Sequence, residues 1–225
     1  MKVEIIKTKD GSTSLLVPEM NETYHSTHGA LTESQYVFID KGLKHYCETI
    51  GKKEINILEV GFGTGLNALL TCLESKILAH TINYFSLETD LIEKEVWSQL
   101  NYHGLINDYE AGQLFDAIHS APWDQMTAVT GFFNLQKINL ALQEYTNEDL
   151  LFDLVYFDAF APSKQAEMWE LSLFEKIFRL MKPQGILVTY CAQGQFKRNL
   201  KSCGFEVEKL PGPPGKAEMT RACKI

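Results

Sequence analysis

One segment constrains this chain more than any other. The apolar run Ile55 to Val60 ends in Glu59-Val60-Gly61-Phe62-Gly63-Thr64-Gly65 and opens directly into the helix-forming stretch Leu66 to Leu73. A strand that delivers a glycine-rich turn into a helix is a building unit of layered α/β folds. The glycines permit a sharp turn and a close approach of backbone to ligand. The spacing separates cofactors. Dinucleotide sites use Gly-x-Gly-x-x-Gly, with the helix start facing a pyrophosphate. Here the third glycine comes one residue early, and Glu59 precedes the first. A carboxylate repels pyrophosphate but suits the ammonium end of a methionine moiety, so the loop predicts S-adenosylmethionine. The plainer alternative is a strand-to-helix turn that happens to be glycine-rich.

The rest of the chain alternates in the same way. Strands are expected at Ile82 to Leu87, Phe132 to Ile138, Leu154 to Phe157 and Ile186 to Tyr190. Helices are expected around Leu91 to Leu100, Tyr109 to Ile118 and Trp169 to Met181. Strands separated by helices pair in parallel through right-handed crossovers. The end differs: Phe205 to Leu210 and Met219 to Lys224 flank Pro211-Gly212-Pro213-Pro214-Gly215, which reads as an antiparallel hairpin at the sheet edge. The expectation is an α/β, Rossmann-like fold with a mostly parallel seven-stranded sheet and an antiparallel C-terminal hairpin. Residues 51–225 would form this domain, and residues 1–50 an N-terminal extension. In that extension Lys2 to Lys7 and Ser12 to Val17 can pair across Asp10-Gly11, and a helix can run from a cap at Thr32 towards Cys47.

Two acids stand where such a fold binds ligand. Glu88 lies 23 residues beyond Gly65 at a strand end, followed by Thr89, and is placed to accept hydrogen bonds from ribose hydroxyls; Asp90 is its rival. Asp158, in Asp153-Leu154-Val155-Tyr156-Phe157-Asp158-Ala159-Phe160-Ala161-Pro162, is delivered to the carboxyl edge of the sheet. A carboxylate beside a methyl donor suits an amine acceptor, which it can orient and deprotonate; an aspartate there also serves as a helix N-cap. Asn139 is a candidate for the adenine pocket or a simple turn former. Tyr24, His25 and His28 are candidates for substrate contact or for structure, and Trp169, Phe174 and Phe178 read most simply as core.

Composition excludes other classes. With 45% hydrophobic and 22% charged residues the chain is of globular type, and no apolar run approaches the length of a membrane span. The five cysteines are scattered, without metal-ligand spacing, and suggest reduced thiols in a cytoplasmic protein. A net charge of −8 argues against indiscriminate nucleic-acid binding. The segment from Lys197 to Ile225, however, carries seven basic residues against three acids, so either a local basic surface or a mixed solvated face fits.

Four segments together resemble the tRNA (5-methylaminomethyl-2-thiouridine) methyltransferase family, the methyltransferase half of bifunctional MnmC and the stand-alone MnmD. They are Tyr24-His25-Ser26 with Gly29 to Phe38, Leu58 to Asn67, Asp158 to Lys164 through Met168-Trp169, and Gly204-Phe205 with Gly212 to Met219. The resemblance spans about Pro18 to Met219, and the Asp-Ala-Phe-Ala-Pro-x-Lys…Met-Trp block is its most specific part. It implies methylation of the primary amine of 5-aminomethyl(-2-thio)uridine at the tRNA wobble position. It also implies cofactor contacts from Glu59, Gly61, Phe62, Gly63, Thr64, Gly65, Asn67, Glu88, Thr89, Asn139 and Asp158. Tyr24, Glu33 and Tyr36 would form a flap over the methyl donor. Asp158 would be catalytic, and Phe160, Lys164, Trp169 and Lys216 would meet the substrate, the base inserting between Phe160 and Trp169. Lys197, Arg198, Lys216 and Arg221 would face the phosphates of the anticodon loop, with salt-sensitive binding. The chain departs from some members in carrying Lys137 where they have aspartate, and the expectation is a stand-alone form without a fused oxidase domain, a metal site or a membrane segment. A small-amine methyltransferase, a polyamine aminopropyltransferase and a non-catalytic cofactor-binding module are the alternatives.

Overall fold

The computed structural model describes residues 2–147 and 150–225. The N-terminal segment forms a small sheet from β1 (Glu4–Lys7), β2 (Thr13–Val17) and β3 (Glu22–Thr23) in antiparallel order β1-β2-β3. Its first turn is the expected Asp10-Gly11 hairpin. The Asp10 carboxylate accepts from the Ser12 backbone N–H at 3.0 Å and from Thr8 Oγ1 at 2.7 Å. A continuous helical run follows: α1 (Ala30–Ser34), a π-helical stretch Gln35–Lys44, and α2 (His45–Ile50). It starts two residues before the expected cap. Thr32 is not the cap because its N–H and hydroxyl both donate to Asp10 Oδ2, at 3.0 and 2.9 Å, fastening helix to hairpin.

The central sheet takes β4 (Glu54–Val60), β5 (Thr81–Leu87), β6 (Thr127–Ala128), β7 (Phe133–Ile138), β8 (Phe152–Phe157), β9 (Met181–Thr189), β10 (Phe205–Pro211) and β11 (Glu218–Lys224). Their order is β10-β11-β9-β8-β4-β5-β7-β6. The strands from β9 to β7 are parallel, and β11 inserts antiparallel between β9 and β10. All seven expected strands are present. The eighth, the two-residue β6, pairs antiparallel with β7 at the far edge and is too short to show a period in the sequence.

The helices are α3 (Leu66–Leu78), α4 (Lys94–Trp97), α5 (Tyr102–Leu105), α6 (Ala111–Ser120), α7 (Leu171–Leu180) and α8 (Gly194–Ser202). Two expectations need correction. The helix expected across Leu91 to Leu100 is only the single turn α4, and the one expected from Trp169 is a 3-10 turn, Ala166–Trp169, followed by α7. All six residues of β8 are buried, because helices cover both faces of a parallel sheet. One face packs Val37, Phe38, Leu69, Tyr84 and Tyr156; the other packs Phe157, Trp169, Phe174, Ile177 and Phe196. Among the described residues no helix is long and apolar enough to cross a membrane.

The chain leaves β4 towards β5 and β7 on one side, while β8 and β9 lie on the other. The strand order therefore reverses between β4 and β8. Open α/β sheets bind ligands in the crevice at the carboxyl ends of such a pair. The loop that follows β4 holds the three glycines, and the residue that follows β8 is Asp158.

Candidate active site

Gly61, Gly63 and Gly65 have φ of 95°, 50° and 72°, a region that side chains other than glycine rarely adopt. A Cβ on Gly61 would lie 2.8 Å from the Asp158 carbonyl oxygen, so the loop after β4 rests directly on the chain leaving β8. The loop is held from the other side by Glu88. One carboxylate oxygen accepts from the Gly63 N–H at 2.9 Å, and the other accepts from the N–H groups of Thr89 and Asp90 at 2.8 and 2.9 Å. Burial raises Glu88 above the usual carboxylate range against the pull of these three donors. Three of its acceptor positions are thus used, one on the glycine loop and two on the turn after β5, and a carboxylate with about four such positions retains one for a ribose hydroxyl.

Asp158 is half-buried, and Asn67 Nδ2, from the first turn of α3, donates to its Oδ2 at 2.9 Å. Burial and the nearby Glu33 carboxylate push Asp158 up to about 7, opposed by the Asn67 hydrogen bond and by Lys216. His25 meets Thr64 at 2.7 Å between Nε2 and Oγ1, and burial pushes its imidazole down to about 4, so it is neutral near pH 7.

These groups surround one cavity of about 910 Å³. Of the residues expected from sequence, Gly61, Phe62, Gly63, Thr64, Asn67, Glu88, Thr89, Asp158, Tyr24, Glu33, Phe160, Lys164 and Lys216 line it, as do His25 and His28. Tyr24 and Phe160 meet edge to face at 5.1 Å between ring centroids, and Lys164 Nζ donates to the Met20 carbonyl at 2.8 Å. The N-terminal segment therefore closes one side of the cavity.

Five expected residues are placed elsewhere. Glu59 is fully buried, accepts from Ser86 Oγ at 2.5 Å and is pushed up to about 8 by burial, off the cavity wall. Gly65 turns the chain into α3 behind the wall, where a Cβ would meet His119 and Phe62. Asn139 is exposed, its N–H donating to Asp124 at 3.1 Å. Tyr36 donates from its hydroxyl to the Pro211 carbonyl at 3.0 Å, tying the helical run to β10. Trp169 is core: Phe157 and Phe196 each meet its indole at 5.0 Å, and Nε1 donates to the Phe160 carbonyl at 2.8 Å. Lys137 is buried against Phe62 and Trp123, with Nζ donating to the His119 carbonyl at 2.6 Å.

The C-terminal cations are also placed differently. Lys197 and Lys209 both pair with Glu218, Arg221 pairs with Glu208, and Lys216 pairs with Glu33 inside the cavity. Arg198 donates to the Gln195 side chain. Four of the seven cations of this segment are thus in ion pairs, two of them sharing Glu218, and the segment keeps a net positive charge. Leu140 to Gln143, Met168 and Tyr190 also line the cavity. Tyr190 directly follows β9, and Leu140 is two residues beyond the end of β7. Their positions at strand ends were the signal that would have identified them.

The chain matches the S-adenosyl-L-methionine-dependent methyltransferase family over residues 130–225. It is 32% identical over 219 residues to the tRNA 5-methylaminomethyl-2-thiouridine biosynthesis bifunctional protein MnmC of Cupriavidus necator, covering 91% of this chain and 32% of that protein. MnmC of Pseudoalteromonas atlantica is 31% identical, with 91% of this chain and 31% of that protein covered. The chain thus spans about a third of the length of these curated relatives. Among solved structures, MnmC2 of Aquifex aeolicus superposes with a TM-score of 0.79 at 25% identity, over 98% of this chain and 70% of that one. Spermidine synthase of Thermotoga maritima shares the fold, with a TM-score of 0.61 at 14% identity over 99% of this chain and 69% of that one.

Fold and glycine loop agree with the S-adenosyl-L-methionine-dependent methyltransferase family that residues 130–225 match. Along nearly its whole length the chain is similar to about a third of the bifunctional MnmC proteins and to MnmC2. The residues present fit the cofactor. Gly61 and Gly63 leave the backbone bare at the cavity floor, and Glu88 keeps an acceptor free at a strand end.

Proposed function

We propose that this chain methylates the primary amine of 5-aminomethyl(-2-thio)uridine at the wobble position of tRNA, acting in the cytoplasm. The observation that carries this reading is Asp158. It is a half-buried carboxyl poised to about 7, at the switch point of the sheet and beside the cofactor loop. S-adenosylmethionine supplies an electrophilic methyl group on a sulfonium.

An amine attacks such a methyl only through a neutral lone pair, so the chain has to bind an ammonium ion and then relieve it of a proton. Asp158 does both: its carboxylate attracts the ammonium and takes the proton as the nitrogen becomes nucleophilic. Asn67 fixes the carboxylate plane through the Oδ2 hydrogen bond. The ring of Phe160, braced edge-on by Tyr24, offers an apolar wall to a base splayed out of the anticodon loop. Trp169 holds Phe160 through its carbonyl instead of touching the base. Glu59, buried away from the cavity, ties β4 to β5 through Ser86.

The test is direct. Purified protein, S-adenosylmethionine and tRNA bearing 5-aminomethyluridine should yield one added methyl group per target nucleoside by mass spectrometry. No gain on that tRNA, together with turnover of putrescine, replaces this reading with a small-amine transferase; the mass added then separates methyl from aminopropyl transfer.

A further inference from the structure

Glu22, Glu88, Asp90 and Glu167 also line the cavity, but the carboxylate that bears on Asp158 by charge is Glu33. Asp158 and Glu33 are each chemically able to hold an ammonium ion, and two bare carboxylates sharing a site compete for one proton. The structure treats them differently. Asp158 has one amide donor and no cationic partner at ion-pair distance among the described residues. Glu33 is enclosed: Oε2 accepts from the Ser26 N–H at 2.8 Å, and Oε1 is 2.6 Å from Lys216 Nζ.

Lys216 comes from the far end of the chain, in the turn between β10 and β11, where its N–H donates to the Pro213 carbonyl at 2.9 Å. That turn is seated closely on the N-terminal segment. A Cβ on its Gly215, at φ +88°, would lie 2.3 Å from the His28 ring. The Lys216 ammonium also sits 3.7 Å from the centre of the Tyr190 ring, and the Tyr190 hydroxyl donates to the carbonyl of Ala159, the neighbour of Asp158.

We propose that Lys216 is a positioning residue that divides the labour between the two carboxylates: resting on the Tyr190 ring, its ammonium neutralises Glu33 and holds it against Ser26, leaving Asp158 to meet the acceptor amine. The inference rests on the reading that Asp158 receives that amine. Other groups set the background that Lys216 adjusts. Glu59 on β4 is buried and coupled to Asp158 by charge, and neutral His25 lies beside Glu33 and Lys216. Glu33 pushes Asp158 up and Lys216 pulls it down. Removing the lysine therefore leaves an uncompensated Glu33 that makes Asp158 keep its proton. Removing the Glu33 charge does the opposite.

The experiment is a pair of variants, Lys216→Met and Glu33→Gln, read as kcat/KM against pH on tRNA bearing 5-aminomethyluridine. The acid limb should move up by about one pH unit in Lys216→Met and down by a similar amount in Glu33→Gln, the scale expected for a charge a few ångströms away. Lys216→Met should recover rate at alkaline pH, and Lys216→Arg should restore most of the wild-type profile. Lys216→Gln supplies the neutral variant if methionine disturbs the packing on Tyr190. A second readout needs no turnover: the infrared carboxyl titration of Asp158 in the free protein, identified by its loss in Asp158→Asn, should shift in the same two directions. Shifts of the same sign, or lost activity with unmoved titrations, overturn the proposal. A wild-type protein that methylates no aminomethyl tRNA overturns the substrate reading, while the infrared titrations decide the Lys216 coupling by themselves.

Discussion

Asp158 must be ionised to accept a proton, and burial with Glu33 has lifted it to about 7. A base with a raised pKa works only above it, so kcat/KM should climb between about pH 6 and 8 and then level off. Asp158→Asn keeps the shape and removes the acceptor. We expect turnover to fall by roughly 100-fold or more, the scale of a lost general base, with cofactor affinity by calorimetry within a few-fold of wild type. An Asn variant retaining more than a tenth of the rate would place the proton acceptor elsewhere. Gly61→Ala should behave in the opposite way, with cofactor binding lost first, because the added methyl runs into the Asp158 backbone at a φ of +95°. Both residues were legible in the sequence, since a residue at the carboxyl end of a parallel strand faces the ligand edge wherever its side chain points. Glu59 was not. One position before the end of β4, its direction is set by which face of the sheet it joins, and it turned inward to Ser86 on β5. The Lys216–Glu33 pair was out of reach for another reason: its partners are 183 residues apart.

At the scale of elements, strands were read more accurately than helices. Buried parallel strands are continuous apolar runs bounded by polar turns, whereas short helices such as α4 carry too few turns to show a period. The turn Ala166–Trp169 has the largest consequence, because it rotates Trp169 away from the cavity and into the cluster with Phe157, Phe174 and Phe196. The same aromatic residue reads equally well as core or as a platform for a base until that turn is known. Its placement predicts a split between two variants. Trp169→Ala empties a packed site and should cost about 3–5 kcal/mol of stability, seen as a lower urea midpoint. Trp169→Phe keeps most of the volume but removes the donor to the Phe160 carbonyl. It should fold with a modest loss of about 1 kcal/mol, the net worth of one part-buried hydrogen bond, and show its defect as a raised KM for tRNA. Equal KM values for Trp169→Phe and wild type would show that Phe160 is positioned without the indole.

Across the whole molecule, the sheet separates chemistry from anchorage. The carboxyl ends of β4 and β8 carry the site, and the opposite end of β8 carries Asp153, a fully buried carboxylate. It accepts from Tyr46 Oη at 2.8 Å, the Asn56 N–H at 2.9 Å, Lys182 Nζ at 2.6 Å and Lys52 Nζ at 3.2 Å. It thereby joins α2, β4, β8 and β9, a convergence that no local pattern in the sequence announces. Burial alone would raise its pKa, but the Asn56, Lys182 and Tyr46 hydrogen bonds outweigh it and hold the carboxyl below the usual range. A depressed folded-state pKa contributes stability above the unfolded value of about 3.9 and loses it as pH falls through the folded value. Asp153→Ala leaves the two lysines and the tyrosine without their acceptor, so we expect a loss of about 3–5 kcal/mol at pH 7 in urea unfolding. The gap from wild type should narrow as the pH drops below 4, because acid removes the same charge from the wild-type protein. Methyl transfer per folded molecule should be unchanged, since Asp153 lies at the far end of β8 from Asp158. A variant that lost activity in proportion to neither unfolding nor pH would instead reveal that the anchor sets the spacing of β4 and β8, and with it the distance between the glycine loop and Asp158.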